Sequence, residues 1–202
     1  MSADFEDLNF LDIIYGGLFQ PISLFRRMAQ FESIPNRWVI LGLILIVLVS
    51  AVEPLLAFNL RGEGHNLAFL LLEIPFYANL GVFIWLFMAG VMGLLSRVYR
   101  GKSEFKLFLV LSALSTLPWF LMAPIVLLKF ALGVVGMVLA AVSGLIVWLW
   151  TVLLFALAIG TTYKLAADRV LVLLTLPFAF SLIAITWIGG FFVNMSQWLH
   201  FD

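Results

Sequence analysis

The sequence predicts an all-α integral membrane protein, with five transmembrane helices preceded by an N-terminal interfacial amphipathic helical segment. Three observations predict it. Of the 202 residues, 64% are hydrophobic and only 11% charged, against about 25% charged in a soluble domain, so the chain cannot coat a water-exposed surface. Five apolar stretches reach the roughly 20 residues a helix needs to cross a bilayer core. These stretches do not alternate in polarity and are about twice as long as membrane β-strands. The helix remains, because it pairs every backbone group within its own segment.

Residues 1–36 form a leader, 37–195 the membrane domain and 196–202 a short external tail. Residues 1–12 hold Asp4, Glu6, Asp7 and Asp12 and no base, the reverse of a secretory leader. Insertion is therefore expected to use an internal span. Leu8, Leu11, Ile14, Tyr15 and Leu18 follow helical spacing. Pro21 ends that helix and suits the first turn of another. In this second helix Ile22, Phe25, Met28 and Ala29 form an apolar face beside Arg26 and Arg27. Two compatible readings stay open. The helices lie in the inner interface, with Arg26, Arg27 and Arg37 on anionic headgroups at about 1 kcal/mol each, or they pack against the ends of the bundle.

The spans are expected at 38–58, 75–95, 107–128, 137–159 and 170–193. The third and fourth are nearly continuous. Only Lys129, Gly133 and Gly136 mark a break, which predicts a tight helical hairpin. Pro118 and Pro124 in the third span and Pro177 in the fifth free backbone carbonyls and predict kinks. Gly136, Ala140 and Gly144 recur every four residues, a small-residue ribbon for close helix packing, within the chain or between copies.

Basic residues orient the bundle. Arg26, Arg27 and Arg37 precede the first span. Arg97, Arg100, Lys102 and Lys106 lie between the second and third, and Lys164 and Arg169 between the fourth and fifth. The opposite side has Arg61 and Lys129. This puts the N-terminus in the cytoplasm and the C-terminus outside. Tyr15, Trp38, Tyr99 and Tyr163 fall near the inner boundary, while Trp85, Trp119, Trp148, Trp150 and Trp187 lie deeper, as packing residues.

The chemistry that composition excludes is broad. Lys plus Arg and Asp plus Glu each number 11, so no bulk charge attracts nucleic acid. There is no cysteine for a disulfide or thiolate site. His65 and His200 lie outside the spans, and no span holds two acids. No glycine run ends in the Gly-Lys-Ser/Thr of a phosphate loop. A non-enzyme without cofactor is expected. Glu53, Glu63, His65 and Glu73 gather around one outer loop but match no metal spacing, so no metal site is assigned.

Glu53, Glu73 and Lys129 are the ionisable residues at or near membrane depth, where charge is costly. They either snorkel or tether helix ends, or they line a polar cavity open to the outside with Glu53 deepest. The leading expectation is a protein that acts by packing against partner membrane proteins or by organising lipid. Its candidate contact surfaces, to lipid or partner, are Phe19, Pro21, Phe25, Arg26 and Arg27 on the leader and Arg97, Arg100 and Lys102 on the basic loop. A homo-oligomer is compatible with the same surfaces. The alternative is a small transporter or channel whose path runs from Glu53 and Glu73 past Pro118 and Pro124.

The order of features resembles a known family. The leader reads Leu18-Phe19-Gln20-Pro21-Ile22-Ser23-Leu24-Phe25-Arg26-Arg27-Met28, and the basic loop 97–106 is followed by Leu114-Ser115-Thr116-Leu117-Pro118-Trp119 and Pro124. From about residue 10 to 193 the chain is similar to the Yip (Rab/Ypt-interacting protein) family in its bacterial form. The resemblance implies five membrane helices, a cytoplasmic N-terminus and, from its bacterial form, a plasma membrane of the bacterial inner-membrane type. Eukaryotic members bind Rab GTPases and one another. This sequence lacks their long N-terminal region and their Asp-Leu-x-Gly-Pro motif, so Rab binding does not carry over. Some bacterial members accompany ABC-type exporters, which implies a scaffold or accessory role.

Overall fold

Apolar runs with few polar interruptions form helices throughout the described residues. The computed structural model describes residues 9–31, 33–60, 67–100 and 104–175, with side chains for 9–31, 33–52, 71–97, 104–129 and 131–175. Two units are present, Met1–Lys164 and Leu165–Asp202.

In the first unit, α1 (Phe10–Phe19) and α2 (Pro21–Met28) form the leader. They are followed by α3 (Asn36–Leu60), α4 (Leu67–Arg100) and α5 (Phe105–Leu114). A 3-10 helix (Leu117–Leu121), α6 (Met122–Ala131) and α7 (Gly133–Tyr163) complete the unit. In the second unit, residues 167–175 form α8, opened by the Val170 N–H donating to the Ala166 carbonyl at 3.1 Å.

Among the described residues three stretches are long and apolar enough to cross a membrane: Leu71–Arg97, Phe105–Lys129 and Gly133–Tyr163. They match the second, third and fourth expected spans. The first falls on α3, apolar over Asn36–Val52. The fifth starts on α8, and from residue 176, Pro177 included, lies outside the described residues, as do 61–66 and 101–103.

Two boundaries differ from expectation. Helix α4 runs straight through Pro75, so Glu73 lies inside the helix rather than ahead of it. Pro75 lacks the N–H that would pair with the Leu71 carbonyl, two turns into the helix, and the Asn79 side-chain amide donates to the Pro75 carbonyl at 2.7 Å. The third span is a broken helix. Ser112, Ser115 and Thr116 donate their hydroxyls to the carbonyls of Leu109, Leu111 and Ala113. Such back-bonding satisfies the hydroxyls in an apolar setting and loosens the α-helix. Pro118 then sits in the first turn of the 3-10 helix. Pro124 occupies the first turn of α6, where a missing N–H leaves no bond unmade. The break therefore belongs to Pro118, and Pro124 is not a kink.

Helix α5 is the core. Every residue from Leu107 to Ser115 is buried, against α3, α4 and α7. It runs parallel to α3. Lys106 Nζ donates to Asn36 Oδ1 at 3.1 Å, and a Cβ on Gly42 would stand 3.0 Å from the Ala113 Cβ. It runs antiparallel to α7, with the Phe108 ring 5.6 Å from that of Phe155 and 5.4 Å from that of Tyr163. The same antiparallel register continues past the break, where Gly144 faces Met122 and Gly136 faces Leu128 and Lys129.

The expected hairpin is present and tight. Helix α6 ends at Ala131, and α7 starts at Gly133 with φ +55°, a left-handed conformation that glycine adopts without a Cβ clash. A Cβ on Gly136 would come 2.5 Å from the Leu128 carbonyl oxygen. The Gly136–Ala140–Gly144 ribbon is thus used inside the chain. Of the expected belt residues, Trp38 and Tyr163 are buried, because they pack on the bundle rather than ring it. Trp85 is buried as expected, whereas Trp148 is 42% exposed.

Candidate functional site

The leader is where the described residues combine charge, exposure and a shaped surface. Helix α1 buries Ile13, Gly16 and Gly17. This is not its regular apolar face: Leu11 and Tyr15 are exposed, at 69% and 57%, and Ile14 and Leu18 are half-buried. The glycines set the packing. A Cβ on Gly17 would stand 2.6 Å from Leu117 Cδ1, and one on Gly16 would stand 3.3 Å from the Leu24 Cβ. So α1 sits flat on the 3-10 break and on α2. The tight corner between the two helices is closed by the Gln20 N–H donating to the Gly16 carbonyl at 2.9 Å. Helix α2 starts on Pro21, as expected, and buries Leu24, Phe25 and Met28 against α7.

The expected contact residues therefore divide. Phe25 is fully buried, so it anchors the leader and cannot meet lipid or a partner. Phe19 is 66% exposed, Pro21 is half-buried, and Arg26, Arg27 and Arg97 are exposed. Arg100 ends α4 with its side chain outside the described residues, and Lys102 lies outside them altogether.

The intramembrane candidates do not form one site among the described residues. Glu53 is on α3, with its side chain outside them. Glu73 is half-buried on α4, and Lys129 is exposed at the end of α6. No group of three metal-ligating side chains occurs among the described residues.

The feature that sequence spacing did not single out is a cleft of about 300 Å³ between α1 and α2, lined by Asp12, Tyr15, Gly16, Gln20, Ser23, Leu24 and Arg27. Asp12, Tyr15 and Gly16 share one face of α1, and Ser23, Leu24 and Arg27 share one face of α2. The signal was available as polar residues at helical spacing on both sides of Pro21.

Comparison with curated proteins and with solved structures gives no match. The model of the Yip1 domain matches residues 17–188, from the end of α1 through all the elements just described. The chain belongs to the Yip1 domain family.

Proposed function

We propose that the chain is a non-enzymatic five-span membrane protein that serves as a scaffold or accessory partner of other membrane proteins. In this reading α3 is the first span and α8 begins the fifth. The N-terminus is cytoplasmic, the membrane is of the bacterial inner-membrane type, and the leader lies along its cytoplasmic face. The exposed apolar side of α1 supports that last placement, since an interface accepts such a face and water does not.

The observation that carries the proposal is the solid packing of α5. A transport path along the third span would run past Leu107–Leu117, and there the side chains are buried and apolar or are hydroxyls bonded to their own helix. What the fold offers to others is its outside: long apolar helix faces, Arg26, Arg97 and the exposed Phe19. The family resemblance makes an ABC-type exporter the first partner to test.

Cysteine scanning along 107–128, in a chain with no native cysteine, tests the reading. Labelling by a membrane-impermeant thiol reagent should be confined to the ends. Labelling at 114–121 would instead favour a transporter. Photo-crosslinkers at Phe19 and Arg97 should capture another membrane protein, and failure in the native membrane would sink the scaffold role.

A further inference from the structure

The α1–α2 cleft has the chemistry of a site for a zwitterion. One wall carries a carboxylate, Asp12, which only accepts hydrogen bonds when ionised. The other carries a guanidinium, Arg27, which only donates. Neither forms an ion pair with another described residue, so each charge remains available to a ligand. The Ser23 hydroxyl donates its proton to the Gln20 carbonyl at 2.8 Å, which leaves it only lone pairs to offer. Tyr15 and Gln20 supply one group each that can donate or accept. Acceptors for a cation and donors for an anion therefore share a small space, and opposite charges keep the cleft near neutrality.

Size and rim narrow the ligand. A volume of about 300 Å³ is at the small end of ligand clefts, which run to roughly 1,000 Å³, and fits a headgroup rather than a whole lipid. Next in sequence to lining residues Asp12, Gln20 and Ser23 stand exposed apolar side chains, Leu11, Phe19 and Ile22, at 69%, 66% and 54% exposure. These suit acyl chains leaving the cleft. The acceptors also discriminate among cations. A primary ammonium has N–H groups for Asp12 and Ser23, whereas a quaternary one has none and would need an aromatic cage.

We propose that this cleft binds the headgroup of a phosphatidylethanolamine-type phospholipid, with its ammonium on Asp12 and Ser23 and its phosphate on Arg27. The inference needs the leader to lie at the membrane face, as proposed above, but is independent of the scaffold role.

The test uses the full-length chain in detergent, with native mass spectrometry against phosphatidylethanolamine, phosphatidylcholine and phosphatidylglycerol. The wild type should bind the ethanolamine lipid about tenfold more tightly than the other two. Asp12→Asn should erase that preference while retaining phospholipid binding. Arg27→Gln should weaken all three lipids about tenfold. Both side chains are exposed, and an unchanged thermal melt verifies the fold. Equal binding of the three lipids by the wild type would overturn the proposal, as would an Asp12→Asn variant that keeps its preference. Soluble phosphoethanolamine competing at lipid-equivalent concentration would overturn the lipid assignment in favour of a free phosphoamine. Loss of partner capture with lipid preference intact would count against the scaffold role alone.

Discussion

Trp85 on α4 and Ser112 on α5 are joined across the core by a hydrogen bond, the indole N–H donating to the hydroxyl at 2.9 Å. The same hydroxyl donates to the Leu109 carbonyl at 3.0 Å, so the polar groups of both side chains are satisfied where water is absent. Ser112→Ala orphans the indole. Interhelical hydrogen bonds in membranes average about 0.6 kcal/mol and reach about 1.7. The buried position puts this substitution at the upper end, about 1–2 kcal/mol with the orphan's desolvation included. Unfolding in mixed micelles should register that loss, and the same substitution made in Trp85→Phe should cost measurably less.

Gly17→Val should lift the leader off the bundle. The added Cβ falls 2.6 Å from Leu117 Cδ1, and overpacking of this kind costs about 1–3 kcal/mol. Limited proteolysis should then cut near residues 29–35 sooner than in wild type. Leu117→Ala in the same chain should restore resistance, because it removes the atoms in conflict.

The glycine ribbon on α7 should respond unequally to alanine. At Gly136 the new Cβ meets the Leu128 carbonyl oxygen at 2.5 Å, and backbone cannot step aside without opening the hairpin. At Gly144 it meets the flexible end of Met122 at 3.6 Å, an ordinary contact. Gly136→Ala should sharply reduce the yield of folded protein, whereas Gly144→Ala should melt like wild type.

Lys164→Gly should stabilise the end of α7. Lys164 holds φ 50° and donates its N–H to the Gly160 carbonyl, a left-handed helix stop that usually belongs to glycine. The conformation costs an L-residue about 1–2 kcal/mol, and glycine's extra chain entropy offsets about 0.5–1 of that. A rise of roughly 0.5–1 kcal/mol in unfolding free energy is expected; no change would mean that Lys164 side-chain contacts compensate.

The features legible in the sequence were those written in long apolar runs and punctuation. Spans two and four, the turn at Gly133 and the division of the leader at Pro21 follow from hydropathy and from residues with fixed backbone preferences. The packing face of α1 did not. Gly16 and Gly17 carry no hydropathy signal, and their role exists only against Leu24 and Leu117, the latter 100 residues away. Phe25 looked like a contact residue because apolar spacing marks a face without saying what covers it. The cleft was hidden for a related reason: Asp12 and Arg27 lie on different helices, and only the corner at Gln20 brings their faces together.

The 3-10 helix after α5 also acts as a phase shifter. Five residues at three per turn advance about 100° further around the axis than five at 3.6 per turn, and about 2.5 Å further along it. A helical wheel drawn without interruption through Leu117–Leu121 therefore assigns the residues beyond it to the wrong side. The shift lets one membrane-crossing stretch be enclosed on all sides in α5, then turn a lipid-ready edge outward in α6, where Leu121, Leu127 and Leu128 are exposed. A single residue inserted or deleted in that short segment would re-aim the whole of α6 while leaving the composition of the span almost unchanged.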